Sequence, residues 1–359
     1  MSGSPGDPEL VKLLLEWYEG NRRALPWRAS RDPYAILVSE FMLHQTRVET
    51  VIPYYLRFLE RFPDWSALAA ATLNQVLKAW EGLGYYARAR NLHALAKQVC
   101  TIHGGRLPTS APELRALPGI GEYTAGALLS ICCGHNVAAI DGNVRRVVCR
   151  ICAIADEPQS VPGRERVRQV AQGLVAGGQA GDINQALMDL GTAICTPRKP
   201  ACASCPLVSF CLAHYRGQQE SLPIRQPRKP LPHYGVGAAL ICHHRQILIA
   251  QRPTSGLLGG LWEFPGGRYD SPEDEESSLQ HAVRDELEIE ITVASKLAVV
   301  KHAYTHFRIT LSAYKCLYVA GEPRALGCAD WRWIAPEELD RFAFSTAHRK
   351  LLPLAQAIC

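Results

Sequence analysis

Residues 116–130 read ALPGIGEYTAGALLS, a proline and two glycines around an isoleucine, followed at once by small residues. Gly119 and Gly121 leave backbone N–H groups open to close approach, and such groups at the start of a helix attract anions. The stretch therefore suits a turn between two helices that grips a phosphate. No Gly-Lys-Ser/Thr ending follows and no strand-like run precedes it, which excludes a nucleotide P-loop. Taken alone, a helix–turn–helix packed by glycine accounts for it equally well.

Working outward, apolar residues recur at helical spacing in LVKLLLEWY (10–18), YAILVSEFMLHQ (34–45) and ARNLHALAKQVCTIH (89–103). Residues from about 8 to 215 thus read as helices separated by Pro and Gly breaks. SLPIRQPRKPLPHY (221–234) then brings four prolines, which remove backbone donors and favour an extended linker. Beyond it, GVGAALICHH (235–244), QILIAQR (246–252) and ITLSAYKCLYV (309–319) have β-type patterning, with helical stretches near 275–287 and 346–357. That half predicts a small α/β domain.

The 359 residues, 47% hydrophobic, suffice for two cores. The net charge of +5 divides into +7 over residues 1–230 and −2 over 231–359, so the helical half is the better polyanion binder. No apolar run approaches bilayer length, and MSGSPGDPELVK lacks the regions of a secretory signal, so a cytoplasmic protein is expected, nucleoid-associated if bacterial. Most of the thirteen cysteines are scattered singly, as in LLSICCGHN (128–136), which suits reduced thiols better than a disulfide framework.

Four cysteines differ. CTPRKPACASCPLVSFC (195–211) spaces Cys195, Cys202, Cys205 and Cys211 by six, two and five residues, which implies a metal centre. Zinc with four sulfurs usually takes two close pairs, and only one close pair exists here, so an iron–sulfur cluster fits better. Placed after a helical domain containing LPGIG, the spacing resembles the 4Fe-4S loop of the helix-hairpin-helix DNA glycosylases. The resemblance implies a 4Fe-4S cofactor on those four cysteines, with Arg198 and Lys199 facing the DNA backbone, although each would also be at home simply in solvent.

Within that family, LPGIGEYTAGALL is the hairpin whose Gly119 and Gly121 N–H groups hold a DNA phosphate without reading sequence. AAIDGNVRRV (138–147) puts Asp141 just before a helix, where the family carries an aspartate. Capping that helix is a competing and compatible role, which would keep the carboxylate ionised. Base removal develops oxocarbenium character on deoxyribose, and an ionised carboxylate stabilises it. A purine also needs protonation at a ring nitrogen. Glu40, within the apolar run of Ile36, Leu37, Val38, Phe41, Met42 and Leu43, is the candidate acid, since burial raises its pKa. Its bland reading is a surface residue paired with His44.

VSEFMLHQTRVETVIPYY (38–55), with GLGYYARARNLH (82–93), closely resembles the MutY-type adenine DNA glycosylases, which excise adenine mispaired with 8-oxoguanine. By that resemblance Glu40 is the general acid, Asp141 the carboxylate beside the sugar, and Gln45 and Tyr85 enter the base stack while the target base is flipped out. His44 stands where a second Gln is usual, which bears on local DNA contacts and not on the reaction class. Endonuclease III-type enzymes carry a Lys nucleophile at the position of Tyr123. Tyr123 implies monofunctional excision, its phenol bonding the catalytic carboxylate or lining the pocket. Trp27 and Arg28 in LPWR, and Asn143 in DGN, match family positions near the active site.

GGLWEFPGGRYDSPEDEESSLQHAVRDELEIEI (259–291) resembles a Nudix box. Gly267 and Glu273 are in register, but His281 and Ala282 replace the Arg-Glu pair and Glu288 the final Gly, leaving Asp285 and Glu286 of the later acids. Magnesium needs more oxygens, so recognition without hydrolysis is expected. KHAYTHFRITLSAY (301–314) matches the family segment that probes 8-oxoguanine, here Tyr304, Thr305 and His306, where Phe and Ser are more usual; a plain surface strand is the alternative.

The reading is multi-domain: an all-α helix-hairpin-helix glycosylase module over 1–220 (hairpin about 113–130, cluster loop 195–211), a linker over 221–232, and an α/β Nudix-like domain over 233–359. A monomer acting on double-stranded DNA with A opposite 8-oxoguanine is expected. The alternatives are a thymine glycosylase for G·T mismatches, which the complete C-terminal half argues against, and a non-catalytic Fe-S DNA-binding protein, which the retention of Glu40 and Asp141 argues against.

Overall fold

The computed structural model describes residues 6–157, 160–224, 230–269, 271 and 274–359. Residues 225–229 of the Pro-rich stretch and Glu273 lie outside them. The chain divides into two units, residues 1–69 with 94–227, and residues 70–93 with 228–359. The helices run, in order, α1 (Pro8–Asn21), α2 (Pro33–Leu43), α3 (Val48–Arg61), α4 (Trp65–Ala70), α5 (Leu73–Ala79), α6 (Ala87–Ile102), α7 (Ala111–Ala116), α8 (Glu122–Ile131), α9 (Gly142–Ile151), α10 (Val161–Val175), α11 (Ala180–Ala193) and α12 (Leu212–Tyr215).

Four of these starts follow one rule. Asp7, Asp32, Ser110 and Ser160 each cap a helix through the side chain, and each is followed by a proline in the first turn. The cap satisfies an orphan N–H, and proline has none to lose there. The helices α2 and α8 have no polar face: Tyr34–Met42 and Thr124–Ser130 are buried throughout. Glu40 lies inside the first run, and Tyr123 immediately precedes the second. A further core joins α1, α9, α10 and α11 around Leu14, Val147, Leu174 and Leu187. Between α7 and α8 the chain turns with Gly119 at φ +80°, a conformation that asks for glycine, whereas Gly121 is extended and has open space where a Cβ would stand.

The second unit holds strands β1 (His233–His243), β2 (Gln246–Gln251), β3 (Trp262–Glu263), β4 (Gly266–Tyr269), β5 (Glu290–Ala303), β6 (Arg308–Ala320) and β7 (Asp330–Ile334), with α13 (Glu275–Leu287), α14 (Thr346–Arg349) and α15 (Leu352–Ile358). They form one mixed sheet in the order β3-β2-β1-β6-β5, β1 and β6 parallel, with β4 on β1 and β7 on β2. Ala238, Leu240, Ile247 and Ile249 face Phe344 and Leu351, while Ala239, Ile241, Leu248 and Ala250 face Leu279 and Val283 of α13. Both faces are covered, which is why β1 and β2 read as unbroken apolar runs. The helix expected over 346–357 is two helices, because Pro353 sits in the first turn of α15. The expectation of reduced thiols meets one exception: Cys242 and Cys359 form a disulfide, their Cα atoms 5.7 Å apart, and the other cysteines are free.

Residues 70–93 belong with this sheet unit through Glu81. Its buried carboxylate accepts from Phe344 N (2.9 Å), Arg349 Nη1 (2.8 Å) and Lys78 Nζ (2.8 Å). Glu81→Ala should therefore destabilise the protein by about 2–3 kcal/mol, since a buried N–H loses its acceptor. Urea unfolding measures this, and an unchanged midpoint would refute it.

Candidate active site

Glu40 and Asp141 line one cavity of about 590 Å³, with Arg28, His44, Gln45, Tyr123, Asn143, Gln185 and Met188 also on its walls. Glu40 projects from α2 and is 7% exposed, and its Oε2 finds no hydrogen-bond partner. Burial, reinforced by the charge of Asp141 and opposed by Tyr123 and Arg28, pushes its pKa up to about 7. The Tyr123 hydroxyl reaches Met188 Sδ at 3.9 Å and also acts on Glu40 as a donor. A thioether is a weak acceptor, so the carboxylate has the stronger claim on that proton. Burial and the two carboxylates hold the phenol well above its ordinary pKa, as a neutral donor.

Asp141 caps α9. Its Oδ1 accepts from Val144 N (2.7 Å) and its Oδ2 from Asn143 Nδ2 (2.8 Å). Burial raises its pKa, while these donors and Arg146 pull the other way without fully offsetting it. A network continues along the helix: Arg146 Nη2 donates to Asn143 Oδ1 (2.9 Å) and Gly191 O (2.6 Å), and its Nε donates to Cys195 O (2.7 Å). Gly191 lets α11 come this close, because a Cβ there would stand 2.7 Å from that of Asn143. Sequence reading missed this role of Arg146.

It also missed one face of α11. Gln185, Met188 and Thr192 line the cavity, and Asp189, on the same helical face, binds Arg28 Nη1 (2.7 Å) and Nη2 (3.1 Å) together with Arg23 Nε (2.8 Å). The spacing of 185, 188, 189 and 192 is the only signal in the sequence. Burial would raise the Asp189 pKa, but Arg28 and then Arg23 bring it below the ordinary range. Arg28 is thus held on the pocket wall, against the ring of Tyr18 as well. A larger cavity of about 820 Å³ abuts this wall and shares Trp27, Arg28 and Gln185, but it contains neither Glu40 nor Asp141. His44 lies between Phe41 and Tyr123, with ring centroids 6.4 and 5.9 Å away, and so belongs to the pocket wall.

Gln45, Tyr85 and Lys199 have positive φ (59°, 51° and 47°), which costs a side-chain-bearing residue energy and holds it in a defined direction. Gln45 and Tyr85 are exposed, as are Arg198 and Lys199. In the sheet unit Tyr304, Thr305 and His306 form the turn between β5 and β6 rather than a strand. Tyr304 anchors the turn by stacking on Phe307 at 4.7 Å, leaving Thr305 and His306 exposed at the tip. The Tyr85 hydroxyl shares a 2.5 Å hydrogen bond with Thr305 Oγ1. Nearby in the fold, Arg252 Nη1 donates to both oxygens of Glu263 (2.8 and 2.7 Å), and Glu286, whose pKa burial raises to about 7, accepts from Gly266 N.

Cys195, Cys202, Cys205 and Cys211 surround one small cavity with Ile194, Val208 and Arg150. The buried Arg150 Nη2 has no partner there, so the lining offers four thiols and an unused cationic donor, a set that fits a negatively charged iron–sulfur centre. The four cysteines would hold it and it would cross-link the loop.

Comparison with known proteins follows the same division. Residues 38–175 match the family model of the HhH-GPD superfamily base excision DNA repair proteins, 195–211 that of the iron-sulfur binding domain of endonuclease III, and 237–354 that of the NUDIX domain. The chain is 35% identical to the adenine DNA glycosylase of Homo sapiens, over 96% of this chain and 73% of that protein, and 35% identical to that of Rattus norvegicus over 94% and 76%. A solved thermostable thymine-DNA glycosylase superposes on 59% of this chain and 100% of its own, at 29% identity and TM-score 0.54.

The pKa of Glu40 has a consequence for stability. It titrates near 7 when folded against 4.5 ordinarily, so between these values the folded chain keeps a proton that the unfolded chain has lost. Its contribution is full below pH 4.5 and is lost as pH rises through 7. Glu40→Gln removes this dependence and should gain stability over wild type between pH 5 and pH 8, by up to roughly 3 kcal/mol. Thermal unfolding at the two pH values tests this, and a pH-independent difference would contradict the raised pKa.

Proposed function

The chain belongs to the adenine DNA glycosylases, and from that premise we propose that it excises adenine opposite 8-oxoguanine or guanine, with Glu40 as general acid and Asp141 as the carboxylate beside the sugar. The observation that carries this is the pair itself: two carboxylates on one cavity, one desolvated with one oxygen unpartnered, the other tied to a helix N-terminus. Such unequal environments separate an acid from an anion.

The target nucleotide, flipped from the duplex, enters the cavity. Glu40 gives its proton to a ring nitrogen of adenine while the bond from C1′ to the base breaks and its electron pair leaves with the base. Asp141, oriented by Asn143 and Val144 N, stabilises the positive sugar, and water then adds at C1′ and gives up a proton to the Glu40 carboxylate, which restores the acid. Tyr123 lines the pocket and holds Glu40 by its phenol; lacking an amine, it forms no Schiff base. Gln45 and Tyr85 enter the stack, Gly119 and Gly121 hold a phosphate, and Arg198 and Lys199 face the backbone. The cluster is of the 4Fe-4S type, which shapes this loop, and the protein acts as a monomer in the cytoplasm.

Thr305 and His306 read the oxidised guanine. That base differs from guanine by an oxygen at C8 and a hydrogen on N7, which a hydroxyl and an imidazole at a turn tip can tell apart by hydrogen bonds. Arg252 occupies Glu263, which supports recognition without hydrolysis. The likeness to the thymine-DNA glycosylase keeps a G·T reading in view; it covers 59% of the chain and leaves the rest unexplained.

Glu40→Gln and Asp141→Asn should each slow single-turnover excision at least about a thousandfold while duplex binding is kept. Wild-type excision should fall as pH rises past about 7 with the proton on Glu40. Borohydride should trap little covalent complex, and efficient trapping would overturn the monofunctional assignment. Thr305→Ala with His306→Ala should reduce the preference for 8-oxoguanine over guanine roughly tenfold, about 1.4 kcal/mol. Point variants are the sound test because residues 70–93 fold with the sheet unit, so a truncation after residue 224 would strip their support. Duplexes with A opposite 8-oxoguanine, A opposite G and T opposite G, cleaved with alkali after incubation, separate the two readings.

A further inference from the structure

Among the described residues Arg150 is the most deeply buried guanidinium, 1% exposed on α9. A buried cation ordinarily sits against a carboxylate, because desolvation without compensation costs several kcal/mol. Among the described residues no carboxylate pairs with it. Its Nε donates to Leu222 O (2.9 Å) and its Nη1 to Thr196 O (2.7 Å) and Cys195 Sγ (3.2 Å), while Nη2 is buried without a partner. Its carbonyl also faces the thiol of Cys211, which donates to it at 3.5 Å. The same side chain lines the cavity that the four cysteines surround. The charge therefore lacks an anion among the described residues, and its open donor Nη2 lies where the cysteine-bound group belongs.

We infer that Arg150 is the counter-cation of the iron–sulfur cluster, donating to the Cys195 thiolate through Nη1 and to the cluster's sulfur face through Nη2, and that it sets the cluster's reduction potential and retention. The inference rests on the iron–sulfur reading of residues 195–211. Four thiolates make an iron–sulfur centre net negative, so an adjacent fixed cation favours the more negative, reduced state and raises the potential. The bonds to Thr196 O and Leu222 O span the cluster loop from its first ligand to the segment beyond its last. Arg150 thus also closes the loop around its contents. Lysine would keep the charge but could not make the fork of four bonds.

The test uses the full chain as wild type, Arg150→Gln and Arg150→Lys. Iron and sulfide analysis of the wild type comes first, and its failure would strike the cluster reading and not the role of Arg150. Protein-film voltammetry on DNA-modified electrodes then reads the potential, and the decay of visible absorbance under a chelator reads retention. Arg150→Gln should shift the potential to more negative values and lose the cluster several-fold faster. Arg150→Lys should hold the potential near wild type yet lose the cluster faster than wild type. A Gln variant with wild-type potential and retention would overturn the proposal. Should the Gln variant purify without a cluster, the Lys variant decides alone: faster loss supports the inference, and wild-type retention overturns it.

Discussion

The arrangement depends on the N-terminus of α9. Asp141 supplies the acceptor that the first turn of a helix lacks, and the helix supplies the donors that an inward-facing carboxylate needs. Each solves the other's problem, and the cost of desolvating Asp141 is reduced without an ion pair that would block the cavity. The same helix then presents Asn143, Arg146 and Arg150 at successive turns. Asn143 and Arg146 continue the hydrogen bonds to the carbonyl of Cys195, and Arg150 reaches its sulfur. One helix thereby links the Asp141 end of the pocket to the cysteine loop, and Gly191 of α11 makes room for it.

The second carboxylate is treated in the opposite way. Glu40 receives no helix terminus and no buried cation, only the apolar shell of α2 and α8 and the phenol of Tyr123. Desolvation dominates, and it moves the titration of a carboxylate in that setting up to about 7. Arg28 stands on the same wall, but Asp189 takes its charge with both oxygens, which limits how far it can lower Glu40. The surrounding helices, buried on every side, supply the packing that tolerates an unpartnered carboxyl oxygen.

The sheet unit settles its charges internally. Its two covered faces are those of an α/β domain, yet the acid at Glu263 is neutralised internally by Arg252. What remains open to solvent is the tip of the β5–β6 turn, held by the stacking of Tyr304 on Phe307. Tyr85, in a left-handed backbone conformation, meets Thr305 there because residues 70–93 are fastened to this unit through Glu81.

The sequence alone determined what is local or periodic. Helix caps followed by proline, the glycine turn at 119, the cysteine spacing and the apolar runs of β1 and β2 are legible because each is decided within a few residues, by an orphan N–H, a φ angle, a chelate or a two-sided burial. Asp141 stood out as a helix cap for the same reason, whereas Glu40 inside its apolar run could equally have been a surface partner of His44, and only the family resemblance singled it out. Only the tertiary structure decided what those groups face. Asp189 on Arg28, Arg146 on Cys195, Arg150 on the cysteine cavity, Cys242 with Cys359, and Glu81 on Phe344 all join residues more than forty positions apart. In the sequence these are ordinary charges and thiols at unremarkable spacings. Their roles come from desolvation, which is a property of the packed environment and is set by which helix or strand lies opposite.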